Sequence, residues 1–375
     1  MTLNYKSLFT TDAKITYLNH AAVGMLPQKA AVAMNQIIEQ LAKFGEPSFE
    51  EIMGKLVLFR EYVGNLISVN PNEVALIQNT TAGISIALHS IPWKSGDNII
   101  VQADAFPASL YILHYCFPNL EKRYVPLKDG INFIDRVNKQ IDENTRAIIV
   151  DHVHFLSGFR IDIKELGDLA SKHNLYFIVD GIQAIGAASV TLQKTNVHFY
   201  IAGGMKWLLG PMGTGFLYVN QNILDELKIY HVGWLSVDFE NLSSLYPIKP
   251  LTNSACRFER ANFNLIGLYG LLESLKIMKE VGKKEIEKII LSKTKQFINK
   301  LKLLNCEILT PEEDKNRAGI ISFRVSDIES KEVYEKLEQN KIICSLREGW
   351  IRISIHFFNT EDELDKVLEV VTKIA

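Results

Sequence analysis

Between Tyr176 and Trp207 the chain reads YFIVDGIQAIGA, then a spacer, then HFYIAGGMKW. Two apolar runs of strand length each end in polar chemistry. The first delivers Asp180 and then Gln183; the second runs into Gly203, Gly204 and Lys206. In an open α/β sheet, ligands bind beyond the carboxyl ends of parallel strands. The stretch therefore sets a carboxylate and an amine above one crevice, and the rest of the chain must supply a sheet that holds them there.

The flanking sequence alternates strand and helix signals. Helical spacing of apolar residues runs over 28–44 and 49–67. Strands follow at EVALIQN, SGDNIIVQ, KRYVPL, TRAIIVDHV, LYFIVD, HFYIAG and GTGFLYV, with helices beginning near Ala82, in DAFPASLYILHYC and in IDIKELGDLASKHN. This order predicts an α/β fold, a mostly parallel sheet with helices on both faces. Near Leu251 the pattern changes. Two long helices are expected over 264–281 and 284–303, then strands at GIISFRV and WIRISIHF around a helix at 329–339, and a closing amphipathic helix in TEDELDKVLEVVTKI. The expected organisation is a large domain over 18–255 and a smaller α+β domain over 256–375, joined by 1–17.

Bulk properties narrow the function classes. At 375 residues the chain has room for more than one domain. Its net charge of −2 supplies no basic field for nucleic acid or a membrane surface. No apolar run reaches the length of a membrane span, and the N-terminal residues lack the charged-then-apolar pattern of a signal peptide. The cysteines 116, 256, 306 and 344 are scattered, with no CxxC or Cys/His spacing for a metal. They read as reduced thiols of a cytoplasmic protein.

Taken singly, the polar residues are ambiguous. Lys206 alone reads as a surface lysine after a loop, and Asp180 as a cap or a solvated strand end. Together, each after an apolar strand, they match what pyridoxal phosphate (PLP) requires: an amine to form the Schiff base and an acid to keep the pyridine nitrogen protonated. NTTAGI places Thr80 and Thr81 at a helix N-terminus after a strand, an anion site or a simple N-cap. Phe106 in DAFPAS also follows a strand end and is placed to stack on a ring, or to pack in the core.

In their order, NTTAGI, DAFPA, HVHFLSGFRIDI, VDGIQAIGA, GGMKWLLGPMGTGFLYV and IRISIHFFNT resemble the class V aminotransferase family of fold type I PLP enzymes, which includes cysteine desulfurases, selenocysteine lyases, kynureninases and isopenicillin N epimerase-like proteins. The resemblance runs from YLNHAAVG to the C-terminal helix. It implies a seven-stranded sheet in the large domain and a homodimer sharing its active site. It also implies roles. Lys206 is the Schiff-base lysine and Asp180 the partner of the pyridinium nitrogen. Gln183 bonds the cofactor's phenolic oxygen, Thr80 and Thr81 the phosphate, and Phe106 stacks on the ring. Arg352 in WIRIS takes the substrate α-carboxylate, a bidentate match; His20 and Phe155 border the substrate, with Trp234 and Arg347 at the entrance. Asn262 in FERANFN stands where relatives reach the partner's phosphate.

Several positions depart from the desulfurase pattern. The loop before Arg352, CSLREGWIRIS, is short, and Cys344 on an apparent strand reads as core rather than nucleophile. Met205 and Phe155 replace a histidine and an asparagine, and Phe106 another histidine. The expected activity is therefore a PLP enzyme acting at the α-carbon of an amino acid, as an aminotransferase, epimerase or lyase. The alternatives are a cysteine desulfurase or selenocysteine lyase, or a catalytically silent scaffold. A nucleotide-binding module is disfavoured because neither GxGxxG nor GxxxxGK[ST] occurs where it would need to.

Overall fold

A computed structural model describes residues 5–374 except 129, 231 and 239–247. Residues 1–4 and 375, included above in the small domain, lie outside the described residues. The chain enters through β1 (Thr16–Tyr17), then α1 (Gln28–Phe44) and α2 (Phe49–Ile67). Ser48 caps α2 by accepting the Glu51 N–H. The alternating region forms β2 (Val74–Ile77), α3 (Thr80–Ser90), β3 (Asn98–Gln102), α4 (Pro107–Cys116), β4 (Glu121–Val125), α5 (Phe133–Asn138), β5 (Thr145–Asp151), α6 (Ile163–Lys172), β6 (Tyr176–Asp180), β7 (Phe199–Gly203) and β8 (Gly215–Val219).

These strands make one seven-stranded sheet in the order β2-β8-β7-β6-β5-β3-β4. Only β8 runs against its neighbours, pairing antiparallel with both β2 and β7. Strands β2, β6, β7 and β8 are apolar and buried along their length because both faces of the sheet are covered, whereas the edge strand β4 is polar and largely exposed. In β6, Phe177 and Val179 face one core with α2 and α7, while Tyr176 and Ile178 face the other with α3 and α4. The same alternation repeats in β5, β7 and β8.

The second half begins with α7 (Leu265–Val281) and α8 (Lys283–Lys302), followed by β9 (Cys306–Ile308), β10 (Ile320–Val325), α9 (Ser330–Gln339), β11 (Ile342–Ile343), β12 (Ser345–Arg347), β13 (Trp350–Ser354) and α10 (Glu361–Ile374). Four of these strands form an antiparallel sheet, β12-β13-β10-β9. Ile321, Phe323, Ile351 and Ile353 bury one face of it under α8, α9 and α10. Helix α7 packs on α1 and α2 rather than on this small sheet. Ile286 and Ile290 of α8 join the large core and Phe297 and Leu301 the small one, so the two cores exchange along α8. The N-terminal segment ties back: β1 pairs in parallel with β11. Among the described residues, no helix is long and apolar enough to cross a membrane, and no cluster of three or more potential metal ligands occurs.

Candidate active site

The carboxyl ends of β5, β6 and β7 converge with the N-termini of α3 and α4. A cleft there is lined by Thr80, Thr81, Phe106, Asp180, Ile182, Gly203, Met205 and Lys206, with Thr214 just before β8. Five of the residues singled out from the sequence thus lie around one space: Thr80, Thr81, Phe106, Asp180 and Lys206.

Lys206 sits on a turn gripped from every side. The Met205 carbonyl accepts the Gly24 N–H (2.7 Å), and the Gly210 N–H reaches the Gly204 carbonyl (2.8 Å). His356 Nε2 faces the Trp207 carbonyl at 3.0 Å, Trp207 Nε1 donates to Gln183 Oε1 at 2.8 Å, and Ser274 Oγ donates to the Leu209 carbonyl at 2.8 Å. Gly24 is required: a Cβ there would lie 2.1 Å from the Lys206 carbonyl oxygen. Hence the YLNHAAVG loop closes over the lysine turn. The Lys206 amine lies 5.4 Å from the centre of the Phe106 ring. Burial lowers its pKa to about 8; Asp180 and Asp151 oppose this, while Arg352 and Arg347 add to it.

Asp180 is buried, and its Oδ1 accepts the Ile182 N–H at 2.9 Å. Burial raises its pKa, against the pull of that N–H and of Lys206. Asp151 pairs with it in register across β5 and β6. Asp151 Oδ2 accepts the Phe106 N–H at 3.0 Å. Burial, and next the charge of Asp180, push this second carboxyl well up. Two adjacent buried carboxyls disfavour double ionisation, and of the two Asp180 is the better placed to keep its charge. Asp151 was not singled out from the sequence. The available signal was its place at the end of a strand, the same logic that identified Asp180.

Asn79, rather than either threonine, caps α3, accepting the Ala82 N–H at 2.9 Å. This leaves the Thr80 and Thr81 amides without hydrogen-bond partners among the described residues. Thr80 Oγ1 accepts the Gly203 N–H at 2.9 Å and pins the end of β7 to α3; its own hydroxyl proton remains to donate. Thr81 is exposed.

Arg352 is buried, on the face of the small sheet opposite Ile351 and Ile353. It donates to the Phe155 carbonyl at 2.7 Å, and its Nε has no hydrogen-bond partner among the described residues. Burial and then Arg347 lower its pKa to about 10. Phe155 packs edge-on against Phe106, centroids 5.6 Å apart.

Three expectations sit differently. His20 does not border the cleft. It is fully buried behind the lysine turn, with Nε2 3.2 Å from Asn359 Oδ1 and its ring among Tyr17, Trp207, His356 and Phe358. A histidine in so apolar a shell is held neutral, its pKa far below the ordinary value. Gln183 donates to the Ala21 carbonyl at 3.0 Å and accepts from Trp207, so it ties the YLNHAAVG loop to the lysine turn. Asn262 is exposed and adopts a left-handed backbone, φ 45°. His152 and His154, on the loop side of β5, bond Tyr200, Ser157 and the Asp104 carbonyl, as structural residues do.

The donor set fits PLP. A buried carboxylate, with no ion-pair partner among the described residues, suits a ring nitrogen. An amine of lowered pKa suits an aldehyde. The unpaired α3 amides suit a phosphate, and the orphaned Arg352 Nε suits a substrate carboxylate.

Comparison with known proteins gives a consistent result. The class-V aminotransferase model matches residues 16–367. A probable cysteine desulfurase of Methanothermobacter thermautotrophicus is 26% identical over 96% of this chain and 94% of that protein. An uncharacterized aminotransferase of Bacillus subtilis is 24% identical over 98% and 96%. Among solved structures, a C-DES mutant with glycine covalently linked to its PLP cofactor matches with a TM-score of 0.89 at 24% identity, over 97% of this chain and 99% of that one. The apo cysteine desulfurase of Thermococcus onnurineus NA1 matches with a TM-score of 0.85 at 21% identity, over 96% and 94%. These two structures share the fold with this chain.

Proposed function

The chain belongs to the class-V aminotransferase family, and on that premise we propose that it is a PLP-dependent enzyme acting at the α-carbon of an amino acid. The observation that carries this is the buried pair at the strand ends: Asp180, and Lys206 with its pKa lowered to about 8, beside the N-terminus of α3, where the Asn79 cap leaves the Thr80 and Thr81 amides to a ligand.

When bound, PLP supplies an electron sink that makes the proton on a substrate's α-carbon acidic. The chain's own residues do the rest. Lys206 would hold the cofactor through its amine, and that amine, with a pKa lowered to about 8, would be suited to take the α-carbon proton as general base. Asp180, ionised and shielded from water, holds the ring nitrogen. Thr80, Thr81 and the first amides of α3 take the phosphate, and Phe106 covers the ring. Gln183 would support the site from behind, tying the loop at Ala21 to Trp207 beside Lys206. Arg352 takes the α-carboxylate, with Phe155 alongside. The pocket chemistry after proton removal decides between transamination, epimerisation and elimination.

Cysteine desulfuration is the second reading, favoured by the names of the relatives. It requires a reactive thiol near Arg352. Cys344, three positions before Arg347 in the chain's turn toward Arg352, is 4% exposed, and burial pushes its thiol up to about 12. The first reading is therefore preferred. We further propose a cytoplasmic homodimer, with Asn262 of one protomer completing the phosphate site of the other; a monomer in sedimentation would contradict that part.

The test is an amino-acid panel read by cofactor absorbance and by solvent deuterium uptake at the α-carbon. Spectral change with deuterium uptake supports the reading. Bound cofactor that responds to no amino acid contradicts it.

A further inference from the structure

The small sheet has two unlike faces. One is the apolar face under α8, α9 and α10. The other carries two rows set by the strand register. Ser322, Arg352 and Ser345 lie opposite one another across β10, β13 and β12, and one step further along, Trp350 lies opposite Arg347. Residues two apart on a strand share a face, so Arg347 and Arg352 are diagonal neighbours, at a Cα separation of about 7–8 Å that long side chains span. This polar face points at the end of β5: Ser322 Oγ donates to the Leu156 carbonyl at 2.6 Å, and Arg352 to the Phe155 carbonyl.

The guanidiniums on this face differ in what they already hold. Arg324 donates to the Gly349 carbonyl at 2.8 Å and stacks over Trp350 at 3.9 Å. Arg352 spends one N–H on the Phe155 carbonyl, and its buried Nε is among the donors left for a carboxylate. Arg347 is exposed, and among the described residues it makes neither an ion pair nor a hydrogen bond. Its charge reaches both Arg352 and Lys206, unfavourably in each case. Lys206 in the cleft thus feels two further cations, Arg352 and Arg347, against the neighbouring buried carboxyls Asp180 and Asp151. One substrate α-carboxylate answers Arg352 and leaves Arg347 uncompensated.

We propose that Arg347 recognises a second anionic group on the substrate, so that the preferred substrates are amino acids with an acidic side chain. This rests on the reading of Arg352 as the α-carboxylate site. Two arginines on one rigid hairpin give a dicarboxylate two planar, charge-assisted contacts. A neutral side chain forgoes that second contact and leaves Arg347 to water.

Two measurements test it. In the first, kcat/KM of the PLP-loaded enzyme is compared for aspartate, glutamate and cysteine sulfinate against alanine, asparagine and cysteine, in wild type and R347Q. Acidic substrates are expected to lead by about tenfold or more, as a charged hydrogen bond implies. R347Q should collapse that ratio mainly through KM for the acidic members, and R347K should restore part of it. A lead for neutral or thiol substrates, or a ratio unmoved by R347Q, overturns the proposal. In the second, calorimetry compares succinate and glutarate with butyrate, which need no cofactor chemistry. Dicarboxylate binding weakened by both R347Q and R352Q supports the two-arginine site; equal binding of mono- and dicarboxylates overturns it. If no amino acid alters the cofactor spectrum, the PLP reading fails, while the calorimetry still decides the role of Arg347.

Discussion

Holding Lys206 ready to react should weaken the cofactor-free protein, and the size of the effect follows from its burial. Lys206 is 8% exposed. Its pKa falls from the ordinary 10.5 to about 8, chiefly through desolvation. At about 1.4 kcal/mol per pH unit, that drop corresponds to about 3 kcal/mol. The sign is as follows: folded pKa lies below unfolded pKa, so the unfolded chain holds the proton more tightly. Below about pH 8 both states are protonated and the full cost of burying the charge is present. Between about pH 8 and 10.5 the folded lysine is neutral and the unfolded one charged, so the cost shrinks, and above that range it vanishes. Methionine is nearly isosteric and carries no charge. In urea unfolding of cofactor-free protein, K206M should therefore exceed wild type in stability. Its advantage should shrink by about 2 kcal/mol between about pH 7 and pH 10. Any constant packing difference cancels from that change. A gap that stays flat, or widens with pH, would refute the claim that the fold depresses this lysine.

Other perturbations probe other parts of the site. R352Q should lower kcat/KM for amino acids by about 30-fold or more, since losing one partner of a desolvated charge pair costs about 2–5 kcal/mol; a change under threefold in steady-state kinetics would remove Arg352 from substrate binding. Gly24→Ala should destabilise by about 1–3 kcal/mol, because its Cβ would meet the Lys206 carbonyl at 2.1 Å. It should also reduce PLP retention after dialysis, and an unchanged urea midpoint with full retention would contradict the tight closure of that loop. In the folded protein at about pH 8 a thiol reagent should modify Cys116, which is exposed, and spare Cys344. C344A should keep its turnover; loss of turnover in a folded C344A would favour the desulfurase reading.

Much of this arrangement was legible because its signals are local. Apolar runs ending in Asp180 and in Gly203-Gly204 mark buried strands and their functional ends, and the α3 start is marked by Asn79-Thr80-Thr81. The alternation around Arg352 fixed its face from sequence alone, as the pairing of Arg352 with Ser322 and of Ile353 with Ile321 bears out. What was hidden depends on contacts distant in sequence. His20 is polar and near a glycine, features shared by pocket residues and buried frameworks alike; only the packing of Trp207, His356 and Phe358 around it distinguishes the two. Gln183 carries a structural duty to Trp207 and Ala21 that no local pattern announces. Asp151 closes its strand as Asp180 does, but its consequence lies in being the adjacent strand, which sheet order and not chain order determines. The short pairing of β1 with β11 was likewise out of reach, since two residues carry no periodicity.

The central claim is that Lys206 is the attachment point of PLP. It is tested by adding PLP to the purified full chain, reducing with borohydride, and mapping the phosphopyridoxyl group by peptide mass spectrometry. The account predicts a visible absorbance band lost on reduction, with the label on the peptide carrying Lys206 and absent from K206A. A label confined to another lysine, such as Lys293, whose pKa burial also lowers to about 8, or no label at all, would contradict it.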